Sequence, residues 1–305
     1  MAGDLKFLAN MLGINHANAN LPCIWCKCPK TNCNCVEWSI FDLNKGARSH
    51  EESLIRKVYK NSANKFGYIR APIFDFIPFK DVIIDLMHLH LRITDKFTEF
   101  IVDEITALDK FASQVIYDSH TDPRIKNSKN IYNYIQFLTN ICKIRNCFYL
   151  KEGKIVFRHL RGKDKLIVFN LINLEDLFPE MNDVCNKNKV VHDFQSIYIG
   201  IRDNELNAEE IKTKTSKFFI DYTETYMVTT ITPYLHCFVC RMHEFRLLHG
   251  DFNLFNQQGL EKLNDITTEQ IFRGSNRKRK ENGKKSYLLQ ASHAKKKSFR
   301  CKHTI

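Results

Sequence analysis

At 305 residues with 44% hydrophobic side chains, the chain is long enough to bury at least one sizeable core, which argues against disorder as its default state. Its formal charge of +12 is concentrated at one end, because Arg273 to Ile305 carries twelve basic and one acidic residue, a net of +11, and leaves the first 272 residues nearly neutral. Asp4 and Lys6 interrupt the opening residues and no run of about 18 apolar residues occurs, so secretion and a membrane span are not expected, and the protein reads as soluble and intracellular.

In chain order, Leu5, Leu8 and Leu12 with Phe7 and Met11 predict a short amphipathic helix ending near Gly13. Residues 20 to 46 form a loop-rich stretch, with Pro22, Pro29, Asn32 and Asn34, that holds five of the eleven cysteines: Cys23, Cys26, Cys28, Cys33 and Cys35. Such a loop is expected to need a metal to hold its shape. A charged helix around Ser49 to Tyr59 follows. The Ile-, Phe- and Pro-rich segment Ile73 to Ile84 then leads into a long helix beginning near Asp85, with Leu86, Leu89, Ile93, Phe97, Ile101, Ile105 and Leu108 in a helix-period stripe.

Between Phe148 and Phe169 the pattern turns strand-like, with Glu152-Gly153 and Gly162-Lys163 as turn candidates, and predicts one small hairpin. Helical stripes return at Val191 to Ile201, at Ile211 to Met227 and at Tyr234 to Leu248. His249-Gly250-Asp251 reads as a helix stop followed by an N-cap, and the next helix carries Glu261. Beyond Arg273 apolar periodicity gives way to a basic tail, expected to be disordered. Its clusters Arg277, Lys278, Arg279, Lys280 and Lys295, Lys296, Lys297 are candidates for phosphate contact or nuclear import, and equally for plain solvation.

Cys23-Ile-Trp-Cys26 places two thiolates at the spacing from which one tight turn reaches adjacent corners of a zinc tetrahedron. The expected partner is His236 with Cys240, four residues apart on one helix face, and His243 competes as the fourth ligand. Two other readings stay open: Cys237 and Cys240 merely pack around a satisfied core histidine, or Cys28, Cys33 and Cys35 complete a local site with the CxxC. His88 and His90 read as packing or surface residues.

The run GDLKFLANMLGINHANANLPCIWCKC resembles the stretch of Transib-like DDE transposases and of the V(D)J recombinase catalytic subunit in which a catalytic aspartate precedes a zinc-binding CxxC. ARSHEESLIRK, VIIDLMHLHLRITDKFTEF and PYLHCFVCRMHEFRLLHGDFNLFNQQGLEKLND resemble later family segments, in family order. The resemblance covers about residues 1 to 272. It implies that Asp4 and Glu261 are the second aspartate and the glutamate of a carboxylate triad holding Mg²⁺ or Mn²⁺ for DNA nicking and strand transfer. It also implies that Cys23, Cys26 and His236 hold structural Zn²⁺. The family's second zinc histidine falls on Arg241, which leaves Cys240 or His243 to substitute. Apart from the resemblance, Asp4 reads as a helix N-cap and Glu261 as a solvated helix face beside Lys262.

The fold expected is mainly α (α+β): a partial RNase H-like core with a large helical zinc-binding insertion and one small β-hairpin. Residues 1–19 would be the core remnant, 20–60 the zinc-binding loop and helix, 61–250 the helical insertion, 251–272 a core helix and 273–305 the tail. The function implied is that of a DNA transposase fragment, nuclear, with DNA and a second copy of the chain as partners and no small-molecule substrate. Because the family's first aspartate precedes the second, the chain is expected to be inactive by itself. The alternative is a non-enzymatic, zinc-stabilised DNA- or protein-binding module derived from a transposase.

Overall fold

Two strand–aspartate–helix junctions lie side by side at the front of the molecule. In the computed structural model, which describes residues 1–15, 19–29, 42, 46–56, 65–109, 129–145, 147–151, 154–157, 160–227 and 230–255, β1 (Ala2–Gly3) pairs in parallel with β2 (Ile83–Ile84). The register is Ala2 to Ile83 and Gly3 to Ile84, with Ile83 N donating to Met1 O at 2.8 Å and Asp85 N to Gly3 O at 3.0 Å. Each strand runs into an aspartate that caps a helix. Asp4 accepts from Phe7 N to open α1 (Leu5–Leu12), and Asp85 accepts from His88 N to open α3 (Leu86–Leu108). Helix α1 stops at Gly13, whose φ of 67° sends its N–H back to Ala9 O and Asn10 O, and where a Cβ would strike the Arg70 carbonyl. Helix α2 (His50–Arg56) lies between these junctions in sequence.

The α3 stripe behaves as its spacing predicts, with Leu89, Ile93, Phe97, Ile101 and Ile105 all buried. Thr94 and Thr98 share the buried face because their hydroxyls bond back to the carbonyls of His90 and Thr94, at 2.6 and 2.8 Å. Helix α4 (Lys129–Gln136) runs on through a π-turn, Phe137–Ile141, toward the antiparallel pair β3 (Phe148–Lys151) and β4 (Lys154–Phe157). This is the small hairpin expected.

The second turn candidate in that segment is a helix instead: Gly162-Lys163 opens α5 (Gly162–Leu171). With Asp164 in the first turn, Lys165, Val168 and Phe169 are buried at three- and four-residue steps, so packing against α3 and its neighbours overrides the strand propensity of Ile167 and Val168. Short α6 (Leu174–Leu177) leads to α7 (Val184–Arg202) and α8 (Ala208–Tyr226), the latter opened by an Asn207–Glu210 capping box. Phe97, Phe169, Phe194, Phe218, Tyr222 and Phe238 from these elements and the next helix meet in tilted and edge-on pairs 5.0 to 6.2 Å apart.

The last helical stretch is also divided. The expected single helix is α9 (Pro233–Cys240) and α10 (Met242–His249), joined at Arg241, whose φ of −112° bends the chain. Arg241 N closes α9 on Cys237 O at 2.8 Å and Arg241 O receives Phe245 N at 2.9 Å to open α10, while the apolar side-chain period runs on through the bend and conceals it. Gly250, with φ 65°, ends α10 as expected, and Asp251 accepts from Asn253 N at 2.8 Å over a short 3₁₀ turn, Phe252–Phe255. One buried apolar cluster runs from Leu5 to Phe252 and includes Cys23, Ile24, Trp25 and Cys26. The described residues are therefore mainly helical, and the cysteine loop shares their core. Among them, no helix is long and apolar enough to cross a membrane.

Candidate metal centre

Cys23 and Cys26 flank a turn held from several sides. Arg48, buried with 4% exposure, donates through Nε to Cys23 O and Cys26 O at 3.0 and 3.1 Å and through Nη1 to Phe66 O at 2.6 Å. Its guanidinium also lies over the Tyr68 ring, 5.1 Å from the centroid. Trp25, between the cysteines, donates its indole N–H to Val82 O at 2.7 Å and meets Phe245 of α10 edge-on at 5.1 Å. The loop was expected to rely on metal for its shape. Trp25, Ile24 and Arg48 add packing and hydrogen bonds around residues 21–28, and residues 30–41 of the loop lie outside the described residues.

Helix α9 delivers His236 to this turn from 210 residues away, with Cys26 Sγ 3.5 Å from His236 Nε2. The three ligand atoms of Cys23, Cys26 and His236 lie within 4.8 Å of one another, all three residues are buried, and among the described residues this is the group that can hold a metal. Zinc bonds of about 2.3 Å to sulfur and about 2.0–2.1 Å to nitrogen, at a tetrahedral angle, put sulfur and nitrogen about 3.6 Å apart. The observed separation fits that edge, and two thiolates with an imidazole suit zinc by softness.

The protonation pattern is that of ligands in close contact. Burial pushes the Cys23 thiol up to about 12, reinforced by Cys26. For Cys26 burial acts upward too, but hydrogen bonds from Cys23, Cys28 and His236 pull it well below the usual thiol range. Burial acts to lower His236, and the charges of Cys240 and Cys23 outweigh it and raise the imidazole well above its ordinary value. Binding of a cation by these thiols and this imidazole would displace the protons they hold.

The candidates for a fourth ligand fall elsewhere. Cys240 Sγ lies 3.7 Å from His236 Nδ1, on the other edge of the ring from Cys26. His243, on α10, has Lys212 and Arg241 as its charged neighbours, and burial followed by those charges lowers it to about 4. Arg241, at the position where the resemblance implies a second histidine, is fully buried and ion-paired with Glu244 one turn on. That pairing lets a guanidinium occupy this position without unbalanced charge. Cys28 is buried beside Cys26, its thiol 3.7 Å from Pro29 O, while Cys33 and Cys35 lie outside the described residues.

Asp4, the candidate catalytic aspartate, stands at the carboxyl end of β1 and accepts from Phe7 N at 2.7 Å, the capping role its sequence context also allowed. Asp85 follows β2 in the same way and is 1% exposed, with His88 Nδ1 at 2.7 Å from its carboxylate. Neither Asp85 nor Arg48 stands in a pattern of metal-ligand spacing, although both lie in segments that carry the resemblance, VIID and ARSH. His90 packs, as expected, its Nε2 3.0 Å from Gln195 Oε1. Glu261 and the tail clusters from Arg277 to Lys297 lie outside the described residues. The chain matches no protein-family model and no curated protein sequence.

Proposed function

We propose that this chain is a zinc-stabilised part of a DDE-type, transposase-like DNA-processing protein, with an RNase H-like core and Asp4 as one of its metal-binding carboxylates. The observation that carries the reading is the convergence of the early CxxC on a histidine 210 residues later, the pairing that the resemblance implies. Support comes from Asp4 at the carboxyl end of the two-residue strand β1, which pairs in parallel with β2; in open α/β sheets ligands bind at the carboxyl ends of the strands. Cys23, Cys26 and His236 hold zinc, which pins α9 and α10 to the front of the molecule. Mg²⁺ or Mn²⁺ serves the carboxylates, and the partner is duplex DNA in the nucleus.

The purified chain is expected to carry one zinc, lost in Cys26→Ala, and to retain duplex DNA with an affinity that falls steeply with salt. A chain that contains no zinc, or that retains no duplex DNA at low salt in any divalent metal, refutes the reading. A second reading, a module that binds DNA or a protein without catalysis, is favoured by the engagement of the Asp4 carboxylate with Phe7 N. Asp4→Asn separates the two. Manganese binding that is lost in Asp4→Asn supports the carboxylate reading, DNA retention with no Asp4-dependent manganese binding supports the module, and Asp4-dependent nicking by the parent chain would overturn the expectation that it is inactive by itself.

A further inference from the structure

We propose that Cys240 is the positioning residue of the zinc centre and not its fourth ligand: its sulfur accepts the Nδ1–H of His236 and holds the ring with Nε2 turned toward Cys23 and Cys26. The inference rests on the zinc reading above and deepens it.

The two nitrogens of an imidazole point along divergent axes, so one cation binds only one of them. Cys26 Sγ is 3.5 Å from Nε2 and Cys240 Sγ is 3.7 Å from Nδ1, which places the two sulfurs on opposite edges of the same ring. A zinc ion shared by Cys23, Cys26 and Nε2 thus has its back to Cys240. A neutral histidine that ligates through Nε2 carries its proton on Nδ1. At 4% exposure that N–H has little access to water and needs an acceptor inside the protein.

The helix supplies one. Cys240 follows His236 by four residues on α9, and because helical side chains lean toward the N-terminus, its thiol lies over the turn that bears the histidine. Metal-bound histidines usually donate this second N–H to a carboxylate, a carbonyl or water. Here a sulfur, a weaker acceptor, takes that place on a helix whose residues Leu235 to Cys240 are all buried.

The test uses the full chain loaded with Co²⁺, whose sulfur-to-metal charge-transfer absorption scales with the number of bound thiolates. Cys240→Ser, which keeps an acceptor, is expected to leave that intensity per cobalt and the tetrahedral d–d bands unchanged, while Cys23→Ser loses one thiolate's share. Cys240→Val, which removes the acceptor, is expected to weaken metal binding about 10- to 100-fold in a chelator competition. A fall in charge-transfer intensity in Cys240→Ser equal to that in Cys23→Ser makes Cys240 a ligand and overturns the proposal. Unchanged affinity in Cys240→Val removes its positioning role. Failure of the unmutated chain to take up cobalt or zinc is seen before any variant and overturns the centre and this inference together.

Discussion

Replacing Arg48 with methionine is the sharpest test of how the CxxC turn is held. Its guanidinium donates to Cys23 O, Cys26 O and Phe66 O between 2.6 and 3.1 Å, with Leu21 O further away at 3.4 Å. A hydrogen bond from a charged donor contributes about 1.5–3 kcal/mol, but bonds from one rigid group are not additive. Methionine refills most of the stem's volume, so the main cost is leaving carbonyls in the core without their donor. Three carbonyls left without this donor, at about 1–3 kcal/mol each and less than additive, give a loss of about 3–5 kcal/mol. Urea unfolding of the zinc-loaded chain measures it, and chelator competition should show weaker zinc binding, because the freed carbonyls belong to the ligand residues themselves. A loss below about 1 kcal/mol with unchanged zinc affinity would refute the argument that Arg48 shapes the turn.

Lys165 is 3% exposed and bonds Leu91 O at 2.8 Å and Asp95 Oδ1 at 2.5 Å. Lys165→Met should destabilise by about 3 kcal/mol, and adding Asp95→Leu should recover much of it, since removing both partners spares the isolated charge; a double variant no more stable than the single would contradict this in urea titrations. His90 is lowered to about 4 by burial, so the unfolded chain binds the proton first, and stability should fall as pH drops from the ordinary histidine value near 6.5 toward 4. Because one proton taken up only by the unfolded chain costs about 1.4 kcal/mol for each step of one in pH, about 2 kcal/mol is lost between pH 7 and 5, and His90→Gln should flatten that slope. Equal slopes in both proteins would show that the pH dependence arises elsewhere. Trp25→Phe keeps the edge contact with Phe245 but removes the donor to Val82 O, and calorimetry should register a loss of about 1–3 kcal/mol.

What was legible from residues alone is what short-range physics controls. The α3 stripe and its start near Asp85, the Asp4 cap and the Gly13 and Gly250 stops follow from side-chain period and local hydrogen bonding, which a few neighbouring residues determine. The association of the early CxxC with the late histidine was anticipated too, because metal chemistry demands more ligands than the turn contains and few segments offer them. Tertiary structure decided the rest. The bend at Arg241 divides the stretch into α9 and α10 without disturbing the three- and four-residue apolar period, so the period alone does not reveal it. Gly162-Lys163 became a helix start because α3 offers Val168 and Phe169 a surface, a preference no local pattern contains. Which nitrogen of His236 meets which sulfur likewise depends on how α9 is rolled against the loop. Trp25 of the loop meets Phe245 of α10 only once distant segments have packed into one core, and no local pattern contains that contact.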